Sequence, residues 1–579
     1  MNKDATKKPI DVLFLGGLNL LGILFALFFF RIYFISNDDI TLLSIMNGSY
    51  TGTPDAHLIY IMYPLGLIFK GLYSLSGKVP FYEIFTLIVQ FGCVFLESFL
   101  VYYLYRKKVG EKGKYLFVLL SHLFFYFLHL QFIVESQYTL TAGILSAIAI
   151  FYLVLLSDAD NKNLRIFRTT VVIVCAAFSL WLRKETFLMA LPLYVLAFLY
   201  AFIRDRKEEA YISKYSAVVI ILGVIVSVSF FAQNLAYSSK EWKDYKAFNE
   251  ARTDVFDYHL MPAYSDNADF YADLGMNADD YTALIEYNLN LVDNLNTDSL
   301  NAMADRQKDL NEQWKAYYNV FHKSVKDTFA SVGQNLKSLQ GIFVFVAAFA
   351  AFIRAFFNKE GKSRALLIAL SILGILYYFA FTSYFTYLGR LPERVYISLD
   401  FQLICLFLGA TLSGMGKEQN RGGKASWIEV KIFLGICAVV TGIIAVGTVN
   451  RNQTYYKRQS ETLSFVAECI DSSKDDVLFV SSGVTATAAY PFFSGMKCFD
   501  VSCFNMVDWG YQSPLMKLKM QKAGIEDMKK TMTKENSTIL LVDSISTDWM
   551  LNLLSEEGES LSAAKVKEAD GVVALKIVR

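Results

Sequence analysis

Residues 57–76 read HLIYIMYPLGLIFKGLYSLS, and how this stretch is placed decides the fold. Twenty apolar residues in a helix can cross about 30 Å of hydrocarbon. Lys70 sits within the run, however, and Pro64 and Gly66 interrupt its first half. Counting it as a crossing inverts every later loop. It is better laid along the outer interface, with Lys70 snorkelling to water and Pro64-Gly66 bending the chain. The segment 35–81 is then an external loop that hugs the membrane.

With that stretch set aside, apolar runs remain at 11–34, 82–105, 115–133, 137–156, 168–182, 186–203, 214–236, 340–357, 365–388, 395–413 and 428–449. These predict eleven crossings. The first run has no small-residue cleavage site and continues into Phe28-Phe29-Phe30, so it reads as an uncleaved anchor. Lys and Arg cluster at Lys3, Lys7 and Lys8, at Arg106 to Lys114, at Lys162 to Arg168, at Arg204 to Lys207, at Arg354 to Arg364, and at Lys417 to Lys424. Eleven crossings put all of these on one side, which the positive-inside rule makes cytoplasmic. The N-terminus is therefore expected in the cytoplasm and the C-terminus outside.

Composition agrees. The chain is 54% hydrophobic and 15% aromatic, with 19% charged residues and a mean hydropathy of +0.35. Soluble domains carry about a quarter charged residues. A net charge of +1 with no basic block excludes nucleic acid as a partner. The partner is instead the lipid bilayer of the cell membrane, and 48 Phe with 35 Tyr suit aromatic belts at its boundaries.

The expected fold class is a mostly α, polytopic helical membrane protein with a small C-terminal α/β domain. Residues 1–449 form the transmembrane module. It carries the external loop 35–81 and an external insertion at 238–339 with 17 Asp/Glu against 10 Lys/Arg. Residues 450–579 alternate strand-like runs (477–481, 538–543, 571–578) with amphipathic helices and read as an external α/β domain. Cys498 and Cys503 could close a short bridge there or remain thiols.

No Walker-type G-x-x-x-x-G-K-[ST] phosphate loop, G-x-G-x-x-G or His-Glu-x-x-His occurs, which argues against nucleotide-driven transport, dinucleotide chemistry and a structural metal. Charges inside the spans are read as few, with Glu97 and Glu185 near span ends, so ion-coupled transport has thin support.

Chemistry is expected in four places. Ser36-Asn37-Asp38-Asp39-Ile40 opens the first loop, and adjacent carboxylates repel, so at least one should rise toward general-base range. The alternative is a cap on a helix over 40–46. Asp55 and His57 follow a turn built from Gly48, Gly52 and Pro54, where Asp55 could equally cap the interfacial helix. Arg183-Lys184-Glu185 and Arg390-Leu391-Pro392-Glu393-Arg394 place cations in short external turns, against the charge rule. A phosphate in the outer leaflet would explain them, since Arg binds phosphate bidentately. Salt bridges Arg183–Glu185 or Arg390–Glu393 are the alternative. Finally, Trp242-x-x-Tyr245-x-x-Phe248-Asn249-x-x-Arg252 lines one helix face, either as core packing or as a groove wall. Asp279-Asp280 reads as a helix start.

This arrangement resembles the C-type (GT-C) membrane glycosyltransferases, which include protein mannosyltransferases, mycobacterial arabinosyltransferases and lipid A aminoarabinose transferases. The resemblance rests on Asp38-Asp39 and the 57–76 segment, with support from Arg183, Arg390 and Arg394, and covers the topology of the whole chain. It is similar also to a bacterial, largely uncharacterised branch through NDDI with G-x-Y-x-G-x-P-D (37–55), the 242–252 run and N-M-x-x-W-G (505–510). No Trp-Trp-Asp-Tyr-Gly is present, so transfer of whole glycans to Asn is not implied. The resemblance implies a polyprenyl-phosphate sugar donor, a cell-envelope glycan or other acceptor, Asp38 or Asp39 as base, and arginines on the leaving phosphate. Some members use a divalent cation, which Asp38, Asp39 and Asp55 could hold only if folded together. A lipid-linked glycan polymerase or flippase, or a non-catalytic scaffold, are the competing readings.

Overall fold

Each apolar run folds as a helix, because within hydrocarbon a segment must satisfy its own backbone amides. The computed structural model describes residues 8–579 apart from 157–161, 207–210, 314–316, 358–360, 389, 414–422, 473–476, 486–487, 497–498, 507–508, 543–545, 556–559 and 570. Lys3, Lys7, Lys207, Lys359, Lys417, Arg421 and Cys498 therefore lie outside the described residues. Among those described, ten helices are long and apolar enough to cross a membrane, from Asp11–Phe29 to Ile428–Ser472. The chain is thus a mostly helical, membrane-embedded protein with a small C-terminal sheet.

An eleventh apolar helix, Tyr138–Val154, has 17 residues, all of them buried. It is the centre of the bundle, packed on Lys162–Leu182, Lys184–Asp205 and Glu393–Ser413. Gly143 lets it approach the last of these closely, since a Cβ there would overlap Ser398.

The 57–76 stretch does not form a crossing helix. Its helix, Tyr63–Leu75, is only 13 residues, roughly 20 Å at 1.5 Å per residue. Leu65, Gly66, Phe69 and Tyr73 face the protein, while Leu67, Ile68 and Leu75 are exposed. Pro64 does not bend it. It occupies the first turn, where its missing N–H is harmless. Gly66 is needed for proximity, because a Cβ would run into the Ala56 carbonyl.

The first apolar run stops as helix at Phe29. Tyr33–Phe34 then forms a strand, parallel to Glu135–Ser136 and antiparallel to Tyr490–Pro491. This three-stranded joint ties the first loop, the end of the helix Lys114–Val134 and the C-terminal domain together.

The helix Gly423–Ser472 runs unbroken for 50 residues. A boundary at 449–450 therefore falls inside one rigid element. Beyond it, five strands take the order Cys503–Asn505, Val477–Val480, Ser537–Val542, Val572–Val578, Ser562–Ala569. The first three are parallel and the last two are antiparallel additions. The three strands expected from alternation are present. The short Cys503–Asn505 and the lysine-bearing edge Ser562–Ala569 carried no comparable signal.

The insertion and the C-terminal domain share one hydrophobic core, in which Phe248, Val255, Leu284 and Leu300 meet Phe479, Phe504, Met516 and Ile539. Tyr245 donates to the Trp509 carbonyl at 2.8 Å and Gln512 to that of Leu295 at 3.0 Å. Cys469 and Cys503 are buried free thiols.

Charges within the spans are more numerous than the sequence reading held. Glu97 is not near a span end. It sits midway along Phe81–Val109, 3.0 Å from His129 Nε2, with both side chains buried. Asp400, within Glu393–Ser413, accepts from Asn335 Nδ2 at 2.9 Å.

Candidate active site

Ser36 caps the helix Asn37–Asn47 by accepting from the Asp38 amide at 3.1 Å, so both aspartates lie in its first turn. The cap is Ser36, not an aspartate. The two carboxylates then diverge by a third of a turn. Asp39 points inward, is fully buried and accepts from the Tyr82 hydroxyl at 2.6 Å. Burial drives its carboxyl well above the usual range, and the Asp38 charge adds to this, against the Tyr82 bond and the Arg394 charge. Repulsion between the pair was expected to supply this shift, yet desolvation is the larger cause. Asp38 stays half-exposed and accepts from the Tyr138 hydroxyl at 3.4 Å.

Tyr138 links Asp38 to the first arginine. Arg183 Nη1 donates to the Tyr138 oxygen at 2.9 Å, and the guanidinium lies over the rings of Tyr60 and Tyr138. Burial pulls the Arg183 pKa down, but Tyr138, Glu185, Tyr60 and Asp38 outweigh it. The Arg183–Glu185 bridge also forms, at 3.0 Å. Lys184 and Glu185 are exposed and pair at 3.6 Å.

Tyr60 is held by a strained backbone. Ile59 has φ 62°, which a β-branched residue rarely adopts, and its amide donates to the Tyr237 hydroxyl at 3.0 Å. Burial pushes the Tyr60 phenol up to about 12, with Arg252 and Arg183 pulling it down and Asp38 and Asp257 pushing it up. Its ring packs on Trp509 at 4.8 Å. Tyr60 is thus the residue around which both ends of the site meet.

On the insertion side, the helix Lys240–Arg252 buries Trp242, Tyr245, Phe248 and Arg252, as its spacing predicted. Arg252 donates to the Tyr287 hydroxyl at 2.6 Å and to Asn249 Oδ1. Arg390 pairs with Asp257 at 2.9 Å, not with Glu393, and lies over Tyr258. Asp279-Asp280 begins a helix as expected, but Asn277 is the cap, in a capping box with Asp280.

Asp55 and His57 form a separate unit. His57 Nδ1 lies 2.7 Å from Asp55, Nε2 lies 3.3 Å from the Ala236 carbonyl, and the ring stacks on Trp242. Burial would raise the Asp55 carboxyl, but its bonds to His57 hold it below the usual range. The pair pins the loop to the insertion. Asp55 does not cap Tyr63–Leu75, whose cap is Met62. Among the described residues no group of three His, Cys, Asp or Glu side chains could hold a metal, so the Asp38, Asp39 and Asp55 set does not fit a divalent cation.

Arg394 faces a cavity of about 640 Å³ beside Ser36 and Asn37. Its lining combines apolar side chains (Phe127, Ile397, Ile444, Ala445) with Arg394, Lys337, Glu135, Gln131 and Asn452. Burial pushes the Glu135 carboxyl up to about 7, against bonds from Asn452 and Gln131.

Tyr60, Tyr82, Tyr138, Trp509, Asp257 and Lys337 were not singled out from the sequence as site residues. Trp509 falls in the 505–510 motif quoted above and Asp257 lies five residues beyond the 242–252 run; the tyrosines have no signal among 35 of their kind. No protein-family model, curated protein or solved structure matches this chain.

Proposed function

We propose that the chain is a glycosyltransferase moving a sugar from a polyprenyl-phosphate donor to a cell-envelope acceptor at the outer face of the membrane. One observation supports the reading: Asp38 is a half-exposed carboxylate linked through the Tyr138 hydroxyl to Arg183, and its neighbours Ser36 and Asn37 line an arginine-bearing cavity. A prenyl chain suits the apolar part of this lining, and Arg394 with Lys337 suits its phosphate. Asp38 takes the proton of an acceptor hydroxyl as that oxygen attacks the anomeric carbon. The bond from that carbon to the phosphate oxygen breaks with inversion, and polyprenyl phosphate leaves with the electron pair. Cations already in place stabilise the charge that develops on it. Asp39, buried and bonded to Tyr82, positions the helix turn that carries Asp38.

Donor-dependent transfer by the purified full chain, compared with Asp38→Asn, tests the reading. Turnover that survives Asp38→Asn at the wild-type rate rules Asp38 out as the base. A flippase is the second reading, favoured by the buried Glu97–His129 and Asp400–Asn335 pairs. These are paired within the bundle, and transport of a labelled lipid across vesicles without transfer would support it.

A further inference from the structure

A second cavity, of about 490 Å³, lies on the far side of the helix Asn37–Asn47 from Asp38. Ile40, Leu43, Ser44 and Asn47 line it, and at 100° per residue these sit opposite Asp38 on the helix. Its other walls are Tyr73, Lys78–Pro80, Glu83 and, from the C-terminal domain, Tyr490 and Phe493. None of the arginines of the candidate active site reaches it.

Two features of this cavity serve no evident structural purpose. Glu83 is 2% exposed, and its Oε2 has no hydrogen-bond partner among the described residues. A first-turn carboxylate favours its helix equally well when solvated, whereas a buried polar atom without a partner costs about 1–3 kcal/mol. Phe493 has φ 60°, a left-handed backbone that costs a non-glycine residue about 1–3 kcal/mol, yet its ring is 49% exposed at the cavity. Strain that presents an apolar ring to solvent is explained by something for the ring to cover.

The chemistry narrows the ligand. The cavity is lined by one acid, Glu83, and one cation, Lys78, so it has no net charge that would select an anion, and among the described residues no group of three His, Cys, Asp or Glu side chains could hold a metal there. The hydroxyl of Ser49 donates to the carbonyl of Ser44, and a hydroxyl oxygen that donates can still accept. Acceptors on one side and aromatic rings (Tyr73, Tyr490, Phe493) on the other suit a ring with hydroxyls on its edge and C–H bonds on its face. The volume lies within the range of about 300–1,000 Å³ of small-molecule sites. We propose that this cavity binds a neutral saccharide ring, with Glu83 accepting from its hydroxyls and Phe493 covering its face. The proposal stands whether or not the chain transfers sugar.

Saturation-transfer NMR on the detergent-purified full chain, without any donor, tests it with methyl gluco-, galacto- and mannopyranosides. At least one should receive saturation on its ring C–H protons. Phe493→Ala, at an exposed position, should weaken that binding about tenfold and leave the melting temperature unchanged. Glu83→Gln should weaken it too. Silence from all the glycosides, equal signals in both variants, or a response confined to short-chain phosphatidylglycerol would overturn the proposal.

Discussion

The Tyr82 hydroxyl donates to Asp39 at 2.6 Å in a fully buried setting, while one residue earlier Asp38 remains half-exposed. The two carboxyl groups therefore have different surroundings although they are neighbours in sequence. Because the folded state raises the Asp39 pKa, its contribution to stability is complete below the ordinary carboxylate value and is lost as pH rises through the folded value. Asp39→Asn should flatten that decline in melting temperature. Tyr82→Phe should destabilise by about 1–3 kcal/mol, since it strands a buried acceptor. An unchanged pH slope in Asp39→Asn would locate the titration elsewhere.

Asp38→Asn should lower turnover at least about 100-fold, the usual contribution of a general base, with the melting temperature within a few degrees of wild type. Comparable losses from Asp38→Asn and Glu185→Gln would instead indicate a general disturbance of the loop.

Arg183→Lys keeps the charge but loses the planar fork that spans Tyr138 and Glu185. It should raise the donor KM about tenfold or more. Glu185→Gln, at an exposed partner, should change it little.

Glu135 shares its cavity with Arg394, Lys337 and Glu393, and is held by Asn452 and Gln131. With its carboxyl pushed up to about 7, it gains charge as pH rises through that value. An anionic donor should then bind more weakly above pH 7 than below. The same burial contributes stability that is lost across the same rise. Glu135→Gln should remove the step in both KM and melting temperature; a step of equal size in the variant assigns it to another group.

Gly66→Ala would force the helix Tyr63–Leu75 off the Ala56 carbonyl. Overpacking of this kind costs about 1–3 kcal/mol. It should also reduce activity, because the displaced backbone leads directly into Tyr60. Gly71→Ala, where a Cβ meets nothing, is the matched control.

The sequence alone determined the helical membrane class, because apolar run length and lysine placement are local quantities that hydrocarbon reads directly. It also determined the short Tyr63–Leu75 helix as something other than a crossing, and the buried face of Lys240–Arg252, through spacing. The core shared by the insertion and the C-terminal domain was decided only in three dimensions, since contacts such as Phe248 with Tyr511 leave no periodic trace. So was the site. Asp38, Arg183 and Arg390 can be picked out by charge in unexpected places. The tyrosines that join them (Tyr60, Tyr138, Tyr82) are indistinguishable by composition from residues of an aromatic belt. The same holds for partner choice: Arg390 takes Asp257 across more than a hundred residues in preference to Glu393 three positions away. Adjacency in sequence sets which ion pairs are near, but burial and the path of the backbone decide which are made.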